Sequence, residues 1–242
     1  MPEFDQVDSF PSECDDLPRV PFGIWKNMLF ASCDPETTLE DLLGAMDERV
    51  GWMPLKSAVY DSSRARDYLV KAHWALYVDN YLEGFHIPYI HAELAQSLDY
   101  GSYRTEMFKW GNVQIGAAKG GEFAFELPRD SADFGESIAA YYYWIFPNMM
   151  FNFYPWGCSI NVVRPLAPSL TKISFFPYVW DAAKIGAGAG AALDRVERED
   201  EAVVELVQRG VRSRFYDRGR YSPEREKGVH QFHALISAAM SR

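Results

Sequence analysis

The segment Asp79–His91, DNYLEGFHIPYIH, holds two of the chain's five histidines, His86 and His91, on either side of Pro88. Neutral imidazole is the commonest protein ligand for transition metals, so a pair of them at close spacing raises the question of a metal site. Pro88 has no N–H to give and pushes Ile87 away from helical geometry, so a helix from Trp74 to about Gly84 must end here. His86 then closes the helix and His91 returns from the next turn. The two rings can meet at one point without the i, i+4 spacing of a zincin helix. Spacing alone leaves two readings open, a metal pair, or one core histidine and one surface histidine.

A third ligand is available in the late segment EREDEAVVELVQRGVRS. Leu193, Val196, Val203, Val204, Val207 and Val211 fall on one stripe at helical spacing, and Asp200 lies near the middle of that stripe. A carboxylate turned toward a core is costly unless it meets a cation. An ion pair with Arg164 or Arg220, or a role as helix N-cap, would also satisfy Asp200. Only a convergent cation accounts for both the aspartate and the histidine pair. Glu199 and Glu201 project to either side of the stripe and read as solvated charges. Two histidines and one carboxylate, with coordination positions left open, form the facial triad of non-haem Fe(II) oxygenases, where O2 and a substrate share the free face.

DNYLEGFHIPYIH closely resembles the signature D-N-Y-x-E-x-[YF]-H-x-x-x-x-H of the catalytic domain of Rieske-type ring-hydroxylating oxygenase α subunits. WIFPNMMFNFYPWG, EREDEAVVELVQRGVRS and YDRGRYSPEREKGVHQFH extend the resemblance toward the choline and carnitine monooxygenase branch. The resemblance implies mononuclear iron on His86, His91 and Asp200, and a homotrimer whose electron path crosses between subunits. It also implies that Glu83 carries electrons from a neighbouring subunit's cluster and that Asn80 lies near the iron. On the residues alone, Glu83 shares a helix face with His86 and could simply orient it, and Asn80 could be a surface or capping residue. The implied fold is a helix-grip domain of the SRPBCC, Bet v1-like kind, an antiparallel sheet around a long C-terminal helix.

Family members normally also hold a 2Fe–2S cluster on two cysteines and two histidines. No Cys-x-His or Cys-x-x-His occurs in this sequence, which begins about where a cluster domain would end. The expectation is therefore one catalytic domain over 1–242 without a Rieske domain. A cluster and reductase would act in trans, the chain would be a piece of a longer protein, or the pocket would no longer be a redox site.

The elements that must position these residues are readable in outline. GIWKNMLFASC reads as a strand leading into a helix start at DPETTLEDLLGAM, and Tyr68–Ala72 as a further strand. Short apolar runs between Tyr103 and Phe125, then Ala139–Trp156 and Ser159–Trp180, broken at Pro147, Pro155 and Pro165, read as an antiparallel sheet. A glycine-rich link, KIGAGAGAA, precedes a long helix over 193–214. Strands in one block with helices before and after give an α+β class.

The balance of 24 Lys and Arg against 34 Asp and Glu, a formal charge of −10, argues against nucleic acid or an anionic membrane as partner. No signal peptide or membrane span is legible, and the reading is cytoplasmic. Cys14, Cys33 and Cys158 offer neither a disulfide framework nor a Cys-x-x-Cys site. In YYYWIFPNMMFNFYPWG at least one strand face must be aromatic, which suits a flat hydrocarbon or a quaternary ammonium ion. Trp144, Phe151, Tyr154 and Trp156 are the candidate substrate contacts. His230 and His233 read as packing residues, because no Cys or carboxylate in their segment completes a second metal site. The function expected is a non-haem iron mono- or dioxygenase that hydroxylates or oxidatively demethylates a small molecule, with electrons from an external 2Fe–2S source. A ligand-binding module without redox activity is the alternative, and a zinc hydrolase is disfavoured for want of a further general base.

Overall fold

The computed structural model describes residues 3–120 and 123–241. The N-terminal part forms a hairpin, β1 (Phe22–Trp25) and β2 (Met28–Ala31), followed by α1 (Leu39–Val50). The expected single strand in GIWKNMLFASC is thus two, turning at Lys26, whose φ of 55° is the left-handed geometry a tight turn requires. The Thr38 side chain caps α1 by accepting from the Asp41 N–H at 3.0 Å, and Leu43, Met46 and Val50 bury one stripe of it.

Next come β3 (Val59–Tyr60), β4 (Arg66–Val70), α2 (Trp74–Tyr81), and two single-turn helices, α3 (Ile87–Ile90) and α4 (Leu94–Ser97). The main strands follow as β5 (Arg104–Phe108), β6 (Gly111–Ala117), β7 (Ile138–Ile145), β8 (Met149–Tyr154), β9 (Gly157–Ala167) and β10 (Leu170–Val179). The chain then forms α5 (Leu193–Val211) and α6 (Lys227–Met240). The eight-stranded sheet runs β3-β10-β9-β8-β7-β6-β5, with β4 also paired to β10, and every pairing is antiparallel. Short turns join β5 to β6 and link β7 through β10 as hairpins, while the longer segment 118–137 joins the antiparallel neighbours β6 and β7.

β7 is buried along nearly its whole length because the sheet is covered on both faces. Tyr141, Tyr143 and Ile145 pack in the core that includes Leu43, Met46 and Val50 of α1. Trp144, two residues along from Tyr142 on the opposite face, packs with Tyr77 and Val78 of α2 and Phe232 of α6. That second face is unusually polar inside: Asn112, Gln114, Asn152, Ser159 and Asn161 are all buried on β6, β8 and β9. They bond to one another and to α2, as where the Tyr81 hydroxyl meets Asn152 Oδ1 at 2.9 Å and Gln114 Nε2 donates to the Tyr81 carbonyl at 2.5 Å.

The sheet-dominated α+β class holds, but the helix-grip expectation does not. The long helix α5 is not the terminal one, since residues 212–226 and α6 follow it. Nor is it wrapped by the sheet: α5 packs on α2 and the edge strand β4, while α2 and α6 are the helices laid against β9, β5 and β6. The helix 193–214 ends at Val211, and the helix expected to reach Gly84 ends at Tyr81.

Candidate metal centre

The two histidines bracket α3. His86 is its N-cap and His91 its C-cap, so a single helical turn brings residues five apart to the same side, with ring centroids 5.0 Å apart. Pro88 sits in that first turn, where a missing N–H costs nothing, which is why the proline shapes this turn rather than breaking it. Glu83 holds the turn open: its Oε2 accepts from the N–H of Phe85 at 2.7 Å and of His86 at 3.2 Å. Asp200 reaches the same point from α5, which lies on α2.

His86 Nε2 and His91 Nε2 are 3.1 Å apart, and Asp200 Oδ1 is 3.5 Å from the first and 3.0 Å from the second. Each ring's other nitrogen meets a carboxylate, His86 Nδ1 with Glu83 Oε1 at 2.5 Å and His91 Nδ1 with Glu199 Oε2 at 2.7 Å. A carboxylate only accepts, so each Nδ1 carries the hydrogen, and a neutral ring then turns its Nε2 lone pair inward. Two lone pairs and a carboxylate oxygen thus face one point and need a cation between them. Ligands adjacent around an ion at about 2.1 Å in octahedral geometry would lie about 3.0 Å apart, close to the separations found. The donor set therefore fits a divalent metal, and His86, His91 and Asp200 are the group that could hold one.

The surroundings reinforce this. His91 is 1% exposed, and among the described residues no Lys or Arg forms an ion pair with Glu83, Glu199 or Asp200. Burial works against charge on His86, yet hydrogen bonds to Asp200 and Glu83 outweigh it and raise its pKa to about 9. His91 is shifted upward by Asp200 and Glu199 against the same cost of burial. Asp200 is held below the usual carboxylate range, because the two histidines overcome its own desolvation. Protons can therefore supply the positive charge when no metal does.

A family model described as the ring hydroxylating alpha subunit (catalytic domain) matches residues 52–242. The chain belongs to this family. Relatives include the chloroplastic choline monooxygenase of Arabidopsis thaliana, 36% identical over 71% of this chain and 40% of that protein. The carnitine monooxygenase oxygenase subunit of Escherichia coli K12 is 25% identical over 96% of this chain and 64% of its own length. This chain thus spans about 40–50% of the curated choline monooxygenases it matches. Among solved structures, a quaternary ammonium Rieske monooxygenase superposes with a TM-score of 0.74 at 22% identity, covering 98% of this chain and 66% of the other. Naphthalene 1,2-dioxygenase from Rhodococcus sp. gives 0.67 at 15% identity, over 91% of this chain and 66% of the other. These likenesses identify the fold as that of a Rieske oxygenase catalytic domain, which replaces the helix-grip assignment.

In this ring-hydroxylating family member the residues read from sequence sit as follows. Asn80 Nδ2 donates to Asp200 Oδ1 at 2.6 Å, and Glu83 and Asn80 both line the cavity that contains the triad. Neither Arg164 nor Arg220 meets Asp200: Arg164 donates to Ser174 Oγ at 2.5 Å, and Arg220 is exposed. Glu199, read as a solvated charge, instead anchors His91, because its long side chain reaches from beside the stripe to the ring's Nδ1. On α5 the buried positions are Glu197, Val204 and Gln208, while Val207 is 43% exposed. His233 bonds through Nε2 to Asp79 Oδ1 at 2.9 Å and through Nδ1 to the Tyr221 hydroxyl at 2.6 Å, a tie between α6 and α2.

The candidate substrate contacts divide. Tyr154 lines the triad's cavity, of about 100 Å³, and Trp156 lines an adjoining one of about 520 Å³ that shares Ser159, Phe175 and Leu193 with it. Their rings stack at 5.4 Å. Phe151 is buried on the α1 side, as strand parity demands once Tyr154 faces the cavity. Trp144 is on the cavity face but is covered by Phe232, 5.2 Å away. The rings that do line the triad's cavity, and that the sequence did not single out, are Tyr77, Tyr81, Tyr103, Tyr142 and Phe175.

Proposed function

We propose that residues 1–242 form one mononuclear iron catalytic unit that hydroxylates or oxidatively demethylates a small quaternary ammonium compound with O2. The observation that carries this is the convergence of two carboxylate-locked imidazoles and Asp200 on one point, beside an aromatic cavity. His86, His91 and Asp200 would hold Fe(II), which when bound supplies the redox centre for O2. Glu83 and Glu199 keep the Nδ1 hydrogens in place and so fix both rings, and Asn80 fixes the Asp200 oxygen. The rings of Tyr81, Tyr103, Tyr142 and Phe175 exclude water and offer cation–π faces, each worth about 0.5–2 kcal/mol to a cation.

Electrons would arrive from a 2Fe–2S cluster outside these residues, by way of Glu83, whose side chain is 11% exposed and touches His86. The names of the relatives support the substrate class, since they are choline and carnitine monooxygenases. A solved relative is described by inter-subunit electron transfer, which supports an assembly of more than one subunit; the reading is a homotrimer with Glu83 at a subunit boundary. No described helix is long and apolar enough to cross a membrane, and we place the activity in the cytoplasm.

The test has two stages. Protein loaded anaerobically with Fe(II) should bind one ion, and His86→Ala should abolish that binding. With a reductase and a 2Fe–2S protein added, choline or carnitine should then stimulate O2 consumption. Binding of Fe(II) that survives His86→Ala would sink the metal assignment, and stoichiometric iron without substrate-dependent O2 uptake would sink the oxygenase assignment.

A further inference from the structure

The cavity contains a titratable side chain that the metal site does not use. Glu197 lies one turn before Asp200 on α5, is 5% exposed, and lines the cavity together with the triad. The Tyr77 hydroxyl lies 2.9 and 2.7 Å from its two carboxyl oxygens. Among the described residues, no Lys, Arg or His forms an ion pair with it. A carboxyl group buried without a cation is expensive to keep. Burial, with the Asp200 charge next, pushes its pKa well above the usual carboxyl range. The cavity lining includes the rings of Tyr77, Tyr81, Tyr142, Tyr154 and Phe175, together with uncharged amide and hydroxyl side chains such as Asn152 and Ser159, and, among the described residues, no Lys or Arg.

We infer that Glu197 is the specificity residue of the cavity, the counter-charge for the cationic nitrogen of the substrate. The inference rests on the cavity being the substrate site. Beside a neutral hydrocarbon the carboxyl would stay protonated and add no charge attraction, whereas a cation in the cavity favours its ionised form. A primary ammonium would ask for three acceptors, whereas the Glu197 oxygens already face the Tyr77 hydroxyl. A quaternary ammonium has no N–H to satisfy, so it draws charge attraction from Glu197 and cation–π attraction from the rings while the Tyr77 bond stays intact.

The experiment compares choline with 3,3-dimethylbutan-1-ol, the neutral compound in which carbon replaces the nitrogen, by titration calorimetry on the full chain with and without Fe(II) under anaerobic conditions. The wild type should bind choline at least about tenfold more tightly than the neutral alcohol. Glu197→Gln keeps the volume and a bond to Tyr77, and should bring the two ligands within about threefold of each other while Fe(II) binding is unchanged. Tyr77→Phe keeps the carboxyl and should retain the preference, which guards against a Glu197→Gln protein that does not fold. Equal binding of the two ligands by the wild type, or an unchanged preference in Glu197→Gln, overturns the inference. Loss of the metal assignment would show separately, as Fe(II) binding insensitive to His86→Ala.

Discussion

In the metal-free protein His86 carries a proton at neutral pH, and this has a measurable consequence for stability. Burial lowers the affinity of the ring for that proton, but Asp200 and Glu83 more than compensate, and the pKa rises from 6.5 to about 9. At about 1.4 kcal/mol per pH unit, that rise makes the proton worth about 3 kcal/mol to the folded state. Because the folded pKa lies above the unfolded one, the contribution is complete below pH 6.5 and is lost as pH rises toward 9. His91 is shifted in the same direction and adds to the slope. Urea denaturation of metal-free protein should therefore show stability falling by about 3 kcal/mol or more across that interval, and His86→Gln should remove most of the fall. Saturating divalent metal reverses the dependence, since the ligand must be the neutral ring. Apparent metal affinity should climb by up to about tenfold per pH unit before levelling near the His86 pKa. Metal-free stability that is flat over this range, or a His86→Gln protein with the wild-type slope, would refute the claim that Glu83 and Asp200 bias the ring toward its charged form.

Glu199→Ala removes the carboxylate that fixes the His91 tautomer, and should weaken Fe(II) binding by about 10–100-fold, measured by competition with a chelator. A solvated charge in that place would leave the affinity unchanged. Phe232→Ala empties a fully buried site between Trp74 and Trp144, whose rings lie 5.5 and 5.2 Å from it. Equilibrium denaturation should show a loss of about 3–5 kcal/mol. A loss below about 1 kcal/mol would mean that α6 does not cover the sheet as described.

How far the site could be read from sequence depended on whether a residue's partner was encoded nearby. His86, His91 and Asn80 fall within one local motif, and Asp200 betrayed itself as a charge on an apolar stripe, so the set of side chains that converge, and could hold a metal, was legible. Glu199 was not, because a helical wheel places Cβ atoms and says nothing of where a flexible glutamate ends; here it ends on a ring nitrogen. Glu197 was hidden by the opposite error. Reading the stripe through its valines alone left out a buried carboxyl one turn before Asp200, which bonds to the Tyr77 hydroxyl of another helix. In the sheet, alternation did hold: Asn152 and Tyr154 face the cavity while Phe151 and Phe153 face α1. Choosing Phe151 together with Tyr154 broke that parity. Trp144 obeyed it and still lies outside the cavity, since the other end of its strand face is filled by Phe232 from the last helix. The helix-grip expectation erred for the same reason. Periodicity identified the long helix, but only tertiary packing decides which helix lies against the sheet, and α2 and α6 fill the place assigned to α5. That arrangement also explains the site: with α2 between α5 and the strands, Asp200 and Glu197 both look inward past α2, one toward the histidines and one toward the aromatic cavity.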